Sequence, residues 1–265
     1  MDLRGQAAVV TGASSGVGAA TALDLARRGC DVLVNYQRSR EAAEEVVAAA
    51  QSHGVRAIAF AADVADDAAC RAMIAVAAET FGRLDILVNS AGTTTFVTHA
   101  DLERVTDADW DRILSVNLKG PFQCIRAAQP WLQSSPNGCV VNVASIAGIA
   151  GTGSSVPYAA SKAALINMTI SLARALAPKI RINAVAPGFI AGRWLEQGLG
   201  RAYEAIKQRC ENTNPLRAVC TPEDVSAAIL SLIAGSQLIT GQTLVVDGGM
   251  TIADPLNRAM LGRGE

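Results

Sequence analysis

The run Ala7-Ala8-Val9-Val10-Thr11-Gly12-Ala13-Ser14-Ser15-Gly16-Val17-Gly18 joins a short apolar strand to a helix through three glycines. Glycines at 12, 16 and 18 let the backbone turn tightly and come close to a ligand. The helix behind them offers free N–H groups and the positive end of its dipole, which suits a pyrophosphate. Gly12, Ser14, Ser15, Gly16, Val17 and Gly18 are therefore candidate cofactor contacts. The same residues also spell G-x-S-x-G, the nucleophile elbow of hydrolases. Asp85 and His99 could be proposed as its partners. That elbow would lie on the first strand, ahead of the strands that normally supply its oxyanion hole, so the phosphate reading is preferred.

Downstream, the same alternation repeats. Val/Ile/Ala-rich runs of strand length occur at Ala7–Val10, Val32–Asn35, Ala57–Ala61, Ile86–Asn89, Cys139–Val143, Ile182–Val185 and Thr243–Val246. Helix-period segments separate them, at Gly18–Arg28, Ser39–His53, Asp67–Phe81, Asp107–Leu132, Pro157–Ala177 and Pro222–Ala234. Ser39, Thr106 and Thr221 are helix-start signals, and Gly29, Gly54 and Gly82 are helix-end signals. Continuous apolar strands alternating with helices imply a parallel sheet covered on both faces. The expected fold is α/β: one Rossmann-type, doubly wound domain over residues 1–250, followed by a tail at 251–265. In such sheets ligands bind beyond the carboxyl ends of the strands, so the residues after each apolar run deserve scrutiny.

Composition narrows the field. The chain has 265 residues, half of them apolar, and a formal net charge of −1. A core of that size needs no staples, and the charge balance lacks the electrostatic footprint of a nucleic-acid binder. The uncharged span from Ala127 to Ser161 is broken by Pro130, Pro136, Gly138, Gly151, Gly153 and Pro157, so no membrane span is expected. The start Met1-Asp2-Leu3-Arg4-Gly5-Gln6 reads as no secretory leader, and the expected location is cytoplasmic. Six cysteines form no CxxC; they read as small buried hydrophobes in a reducing compartment. His53 and His99 are too few for a His-rich metal site and read as solvent-facing; no metal is expected.

The motifs in order resemble the short-chain dehydrogenase/reductase family over essentially the whole chain. Thr11-Gly12-x-x-x-Gly16-x-Gly18 is similar to its cofactor loop, and Asp63-Val64 to its adenine-contacting pair. Asn89-Ser90-Ala91-Gly92 is similar to its N-N-A-G motif, with Ser90 in place of the second Asn. Asn117, in Val116-Asn117-Leu118-Lys119, stands where the family carries a catalytic Asn. Ser145 follows the fifth strand, Tyr158-x-x-x-Lys162 comes thirteen residues later, and Pro187-Gly188 follows the sixth strand. Within the family, Val34-Asn35-Tyr36, Ala186 to Ala191 (including Ile190) and Thr240 to Thr243 resemble the 3-oxoacyl-carrier-protein reductases. The resemblance implies a seven-stranded sheet, cofactor contacts at Asp63, Val64, Asn89, Ala91, Gly92, Pro187, Gly188 and Ile190, and commonly a homotetramer. It also implies a water held by Asn117 that links Lys162 to solvent.

The residue types fit carbonyl–alcohol interconversion. Such a reaction needs a hydride on one side and acid/base chemistry at the oxygen. Tyr158 and Lys162, four apart, share one helix face. A free tyrosine titrates near 10, and bringing it to neutrality costs about 4 kcal/mol. An ammonium about 4 Å away supplies roughly that much at an effective dielectric near 20, while burial works against it. The expectation is a phenol made acidic by Lys162. Ser145 can hydrogen-bond the substrate oxygen. A non-catalytic dinucleotide sensor would be expected to lack Tyr158 or Lys162; both are present.

An NAD site usually carries Asp or Glu at the end of the second strand. Here Tyr36 occupies that place, and Arg38, with Arg40 behind it, suits a 2′-phosphate. NADP(H) is the expected cofactor and NAD(H) the alternative. The stretch from 189 to 212 holds Trp194, Leu195, Leu199 and Tyr203 and is the expected substrate loop; Arg193, Arg201, Lys207 and Arg209 read as a solvated face. It departs from the 3-oxoacyl reductases at Gly192-Arg193-Trp194, as does Thr93-Thr94-Thr95-Phe96. The substrate is a small carbonyl or alcohol, either a 3-oxoacyl group or a sugar, polyol, steroid or xenobiotic ketone.

Overall fold

The structure, a computed structural model, describes residues 2–253. Seven strands form one sheet: β1 (Ala7–Thr11), β2 (Asp31–Tyr36), β3 (Ala57–Ala61), β4 (Ile86–Asn89), β5 (Gly138–Val143), β6 (Ile180–Pro187) and β7 (Thr243–Val246). Every neighbouring pair is parallel, in the order β3-β2-β1-β4-β5-β6-β7. The order reverses between β1 and β4, where Thr11 is in register with Asn89. A crevice opens at that point beyond the carboxyl ends of the strands.

Two apolar layers hold helices to the sheet. Along β1, Ala8 and Val10 face one layer while Ala7 and Val9 face the other, the period-two alternation of a strand. The first layer receives α1 (Gly16–Arg27), α2 (Arg40–Gln51) and α10 (Pro222–Ala234), through Leu25, Val46, Ile229 and Ile233. The second receives α3 (Asp67–Phe81), α5 (Gly120–Ser134) and α7 (Val156–Leu176), through Met73, Ile74, Ile125 and Ala173. Full burial of one such Leu or Ile contributes roughly 1.5–3 kcal/mol. All seven expected strands and the two-sided covering are present, in one domain.

Local signals act as their chemistry requires. Thr106 and Thr221 each form a reciprocal capping box, with Asp109 and Asp224. Gly82 ends α3 with φ 73°, and Gly29 and Gly54 are also left-handed. Ser39 precedes α2 but makes no side-chain cap.

Two expectations need correction. The segment Asp107–Leu132 is not one uniform helix. It comprises α4 (Asp107–Leu114), a π turn (Ser115–Lys119) and α5. The π turn carries one residue more per turn than an α-helix, so it interrupts the i→i+4 ladder without breaking the rod. The apolar pattern continues across it, which is why periodicity alone shows a single helix. The stretch after β6 folds as α8 (Arg193–Leu199) and α9 (Tyr203–Thr213), which short-range patterning did not reveal. α6 (Ala147–Ala150) is a single turn between β5 and α7. Most of the 251–265 tail lies outside the described residues.

Candidate active site

The glycine loop leaves β1 at the switch point. Gly12 has φ 62°, and a Cβ there would lie 2.8 Å from Ala91 Cα, so only glycine lets the loop pass the β4 end. A Cβ on Gly18 would lie 2.5 Å from Gly12 O, which fixes how closely α1 approaches the loop. Gly16 has φ 56° and open space on its Cβ side. Ser15 caps α1 without a side-chain hydrogen bond, and the first-turn N–H groups have no intrahelical acceptors. This cradle fits a pyrophosphate.

Thr11 Oγ1 accepts from the N–H groups of Ser90 and Ala91, at 3.0 and 3.1 Å, and ties the β1 end to the β4 end. Asn89 Nδ2 donates to Asn142 Oδ1 at 2.9 Å, while its own Oδ1 is buried without a partner among the described residues. An orphaned buried acceptor at the crevice is compatible with a ligand donor there.

On the adenine side, Asp63 accepts from Gln37 Nε2 at 2.6 Å, Arg112 at 3.1 Å and Ala65 N at 3.0 Å. Partial burial pushes its carboxyl up, but the Ala65 N–H, Arg112 and Gln37 together hold it below its ordinary value. Val64 lies against Gly120, whose Cβ would sit 2.9 Å from Val64 Cγ2. Arg38 is exposed and makes no ion pair with the described residues, whereas Arg40 is held by Glu44 at 2.6 Å.

The structure brings Asn117, Ser145, Tyr158 and Lys162 together. Tyr158 and Lys162 lie one turn apart on α7, whose N-cap Ser155 accepts from Tyr158 N at 3.4 Å. The Ser145 side chain interacts with the Tyr158 phenol and lowers its pKa. Lys162 Nζ donates to Val143 O at 2.8 Å and sits 5.7 Å from the Tyr158 ring centre. Asn117, in the π turn, is fully buried. Its Oδ1 accepts from Thr93 N at 2.8 Å, and its Nδ2 donates to Thr93 O at 2.9 Å and Ser161 Oγ at 3.0 Å. Ser161 in turn donates to Tyr158 O at 2.7 Å. A Cβ on Gly92 would lie 3.6 Å from Asn117 Oδ1 and 3.8 Å from Lys162 Nζ, so Gly92 keeps the space between them open.

The expected acidic phenol is not what this structure holds. Burial pushes Tyr158 up to about 12, opposed only in part by the Ser145 side chain. Burial also brings Lys162 down to about 8. Desolvation is the largest cause of both shifts, because each group is buried and burial disfavours its charged form.

Pro187 ends β6. A Cβ on Gly188 would lie 2.8 Å from Asp247 Cβ, and Ile190 bridges to Cys220. Trp194 of α8 stands edge-on to Tyr158, with ring centres 6.1 Å apart. Phe189 packs on Tyr203 at 5.7 Å.

The hydrolase reading fails on topology. Asp85 precedes β4 at the amino end of the sheet, bonded to Ala7 N and doubly to Arg83, whereas Ser14 follows β1 at the carboxyl end. His99 is partly buried rather than solvent-facing, and its Nε2 has no partner among the described residues. Cys210 is likewise only partly buried, because it lies on the outer helix α9; the other five cysteines are buried. Among the described residues, no group of three or more His, Cys, Asp or Glu could hold a metal ion, and no helix is long and apolar enough to cross a membrane.

Three contacts are not legible in the sequence. Thr93 and Ser161 orient Asn117, and Asn35, near the end of β2, bonds the glycine loop. A polar residue near the end of an apolar strand was the available signal for Asn35.

A family model described as enoyl-(acyl carrier protein) reductase matches residues 12–251. The chain is 43% identical to a Streptomyces violaceoruber protein named for ketoacyl reductase 2 of the granaticin polyketide synthase, over 91% of this chain and 94% of that one. It is 38% identical to the 3-oxoacyl-[acyl-carrier-protein] reductase FabG of Staphylococcus aureus, over 92% and 98%. The solved structure of NAD+-bound xylitol dehydrogenase superposes with a TM-score of 0.85 at 28% identity, covering 94% of this chain and all of that one. With a matching fold and these relatives along nearly its whole length, the chain belongs to the short-chain dehydrogenase/reductase family of NAD(P)-dependent oxidoreductases, acting between a CH–OH group and its carbonyl.

Proposed function

We propose that this enzyme reduces a 3-oxoacyl-type ketone with NADPH, with Tyr158 as the general acid. The observation that carries the reading is the convergence of Ser145, Tyr158 and Lys162, with Lys162 next to Gly92 beyond the end of β4. The dinucleotide, when bound, supplies the hydride. Ser145 donates to the ketone oxygen and steadies its growing charge. Tyr158 delivers the proton to that oxygen. A phenol pushed up to about 12 is fully protonated at neutral pH, the form that reduction requires. Lys162 places a positive charge near the phenolate left behind and so favours the transfer. Asn117 shapes the proton route behind Lys162, next to the gap kept by Gly92.

Gly12, Ser14, Ser15, Gly16, Val17 and Gly18 take the pyrophosphate. Asp63 and Val64 take the adenine. Asn89, Ala91, Gly92, Pro187, Gly188 and Ile190 line the nicotinamide half. Arg38 takes the 2′-phosphate, since it makes no ion pair among the described residues and no carboxylate ends β2. The 3-oxoacyl class is supported by the ketoacyl reductase and FabG relatives. Residues 189–212 cover the substrate, with Trp194 as an apolar wall beside Tyr158. Exposed Phe122 and Trp131 on α5 and Ile170 on α7 favour the homotetramer that the family implies.

Likeness to a xylitol dehydrogenase favours a second reading, polyol oxidation with NAD. Rates with acetoacetyl thioester and NADPH against xylitol and NAD decide between them. Faster polyol turnover would replace the first reading with the second.

A further inference from the structure

We propose that Asn35 is a positioning residue for the dinucleotide: its one amide fastens the phosphate loop to the adenine-side segment. It is the next-to-last residue of β2, after Val32, Leu33 and Val34, and is 1% exposed. A primary amide is a poor strand former, and burying it is costly unless its polar atoms are paired. Here they are paired in two directions. Asn35 Oδ1 accepts from Gly12 N at 3.1 Å. Asn35 Nδ2 donates to Ala62 O at 3.1 Å, with Phe60 O and Tyr36 O each at 3.3 Å. The Asn35 backbone carbonyl also accepts from Ala13 N at 2.8 Å.

The consequence is directional. Asn35 takes the N–H groups of Gly12 and Ala13 and so sets the path on which the loop leaves the sheet. The following amides, at the start of α1, are left for the ligand. On its other side, Asn35 holds the carbonyl of Ala62, the residue before Asp63 and Val64. The pyrophosphate cradle and the adenine pair are thereby spaced through a single side chain. No other residue type of this size accepts at one end and donates twice at the other. Leucine matches the shape and loses both functions. Aspartate keeps the bond to Gly12 but turns a carboxylate toward the Ala62 and Phe60 carbonyls. The inference needs dinucleotide binding, which family membership supplies; it needs neither the NADP preference nor the 3-oxoacyl substrate.

The experiment measures cofactor affinity by nicotinamide fluorescence, without substrate, in wild type, Asn35→Leu and Asn35→Asp. Affinity for both NADPH and NADH should fall at least tenfold in Asn35→Leu, and further in Asn35→Asp. At saturating cofactor, kcat and substrate KM should stay within twofold of wild type, a split that general loosening of the fold would not give. Amide exchange of the wild-type protein is the second measurement and does not depend on the variants folding. Without cofactor, Gly12 and Ala13 should be protected while Ser15 and Gly16 exchange fast, and the latter pair should become protected when NADPH is added. A folded Asn35→Leu that binds either cofactor within threefold of wild type, or fast exchange at Gly12 in the free protein, overturns the proposal.

Discussion

The Lys162 ammonium donates to the carbonyl of Val143 at 2.8 Å, and the same nitrogen lies 5.7 Å from the centre of the Tyr158 ring. Val143 ends the strand that leads to Ser145, so one lysine is braced against the strand supporting one partner while facing the other. Its charge is held at a fixed position and largely desolvated.

That position predicts an alkaline limit to reduction. Burial brings Lys162 down to about 8, so the ammonium is lost as pH rises through that value. The kcat/KM for ketone reduction should fall above about pH 8. Lys162→Arg, whose side chain does not titrate in this range, should flatten that limb in whatever activity remains. A wild-type profile level to pH 10 would contradict the role given to Lys162.

Tyr158→Phe should bind NADPH with near-normal affinity yet lose at least about a hundredfold in kcat, the scale of a missing general acid. Ser145→Ala removes one donor to the oxygen and should cost roughly 10²–10³ in kcat. Single-turnover absorbance of the nicotinamide reads both. Near-normal turnover in either variant removes that residue from its assigned role.

Arg38→Ala should raise the KM for NADPH about tenfold, the loss of one charge-assisted bond to phosphate, and leave the KM for NADH within twofold. Paired titrations of the two cofactors measure this. Equal losses for both would assign Arg38 no part in reading the 2′-phosphate.

Far from the site, Asp85 is a stability determinant. Burial pushes its carboxyl up, but Arg83, Ser135 and the Ala7 N–H hold it below the ordinary carboxylate value. A lowered folded value means that the stabilisation is complete above about pH 4 and disappears as pH falls through the folded value. Asp85→Ala leaves the Ala7 N–H without this acceptor and should cost about 2 kcal/mol. Denaturant melts at pH 7 and pH 3 test it: the difference between variant and wild type should shrink in acid.

How much was readable beforehand follows from what each residue depends on. β1 and its glycine loop were legible because strand, turn and helix start are all encoded within a dozen consecutive residues. Tyr158 and Lys162 were legible as a pair because helix period alone places them together. Their proton affinities were not, because burial and the anchoring of Lys162 on Val143 arise only when α7 docks on β5. Asn35 looked like a strand end, since its partners Gly12 and Ala62 lie 23 and 27 residues away and meet it only through sheet pairing. The π turn was hidden because one additional residue leaves the apolar stripe intact.

That additional residue makes chain length, as well as residue identity, part of the machinery. Residues rotate by about 100° each around a helix. Deleting Ser115, Val116, Leu118 or Lys119 would restore a plain helical rod and swing Asn117 away from Thr93, or else turn the whole of α5 against α3. Neither outcome can be repaired by substituting a neighbour. Insertions and deletions in this rod should therefore be far less tolerated than in the loop from 98 to 105, even where the amino acids themselves can vary.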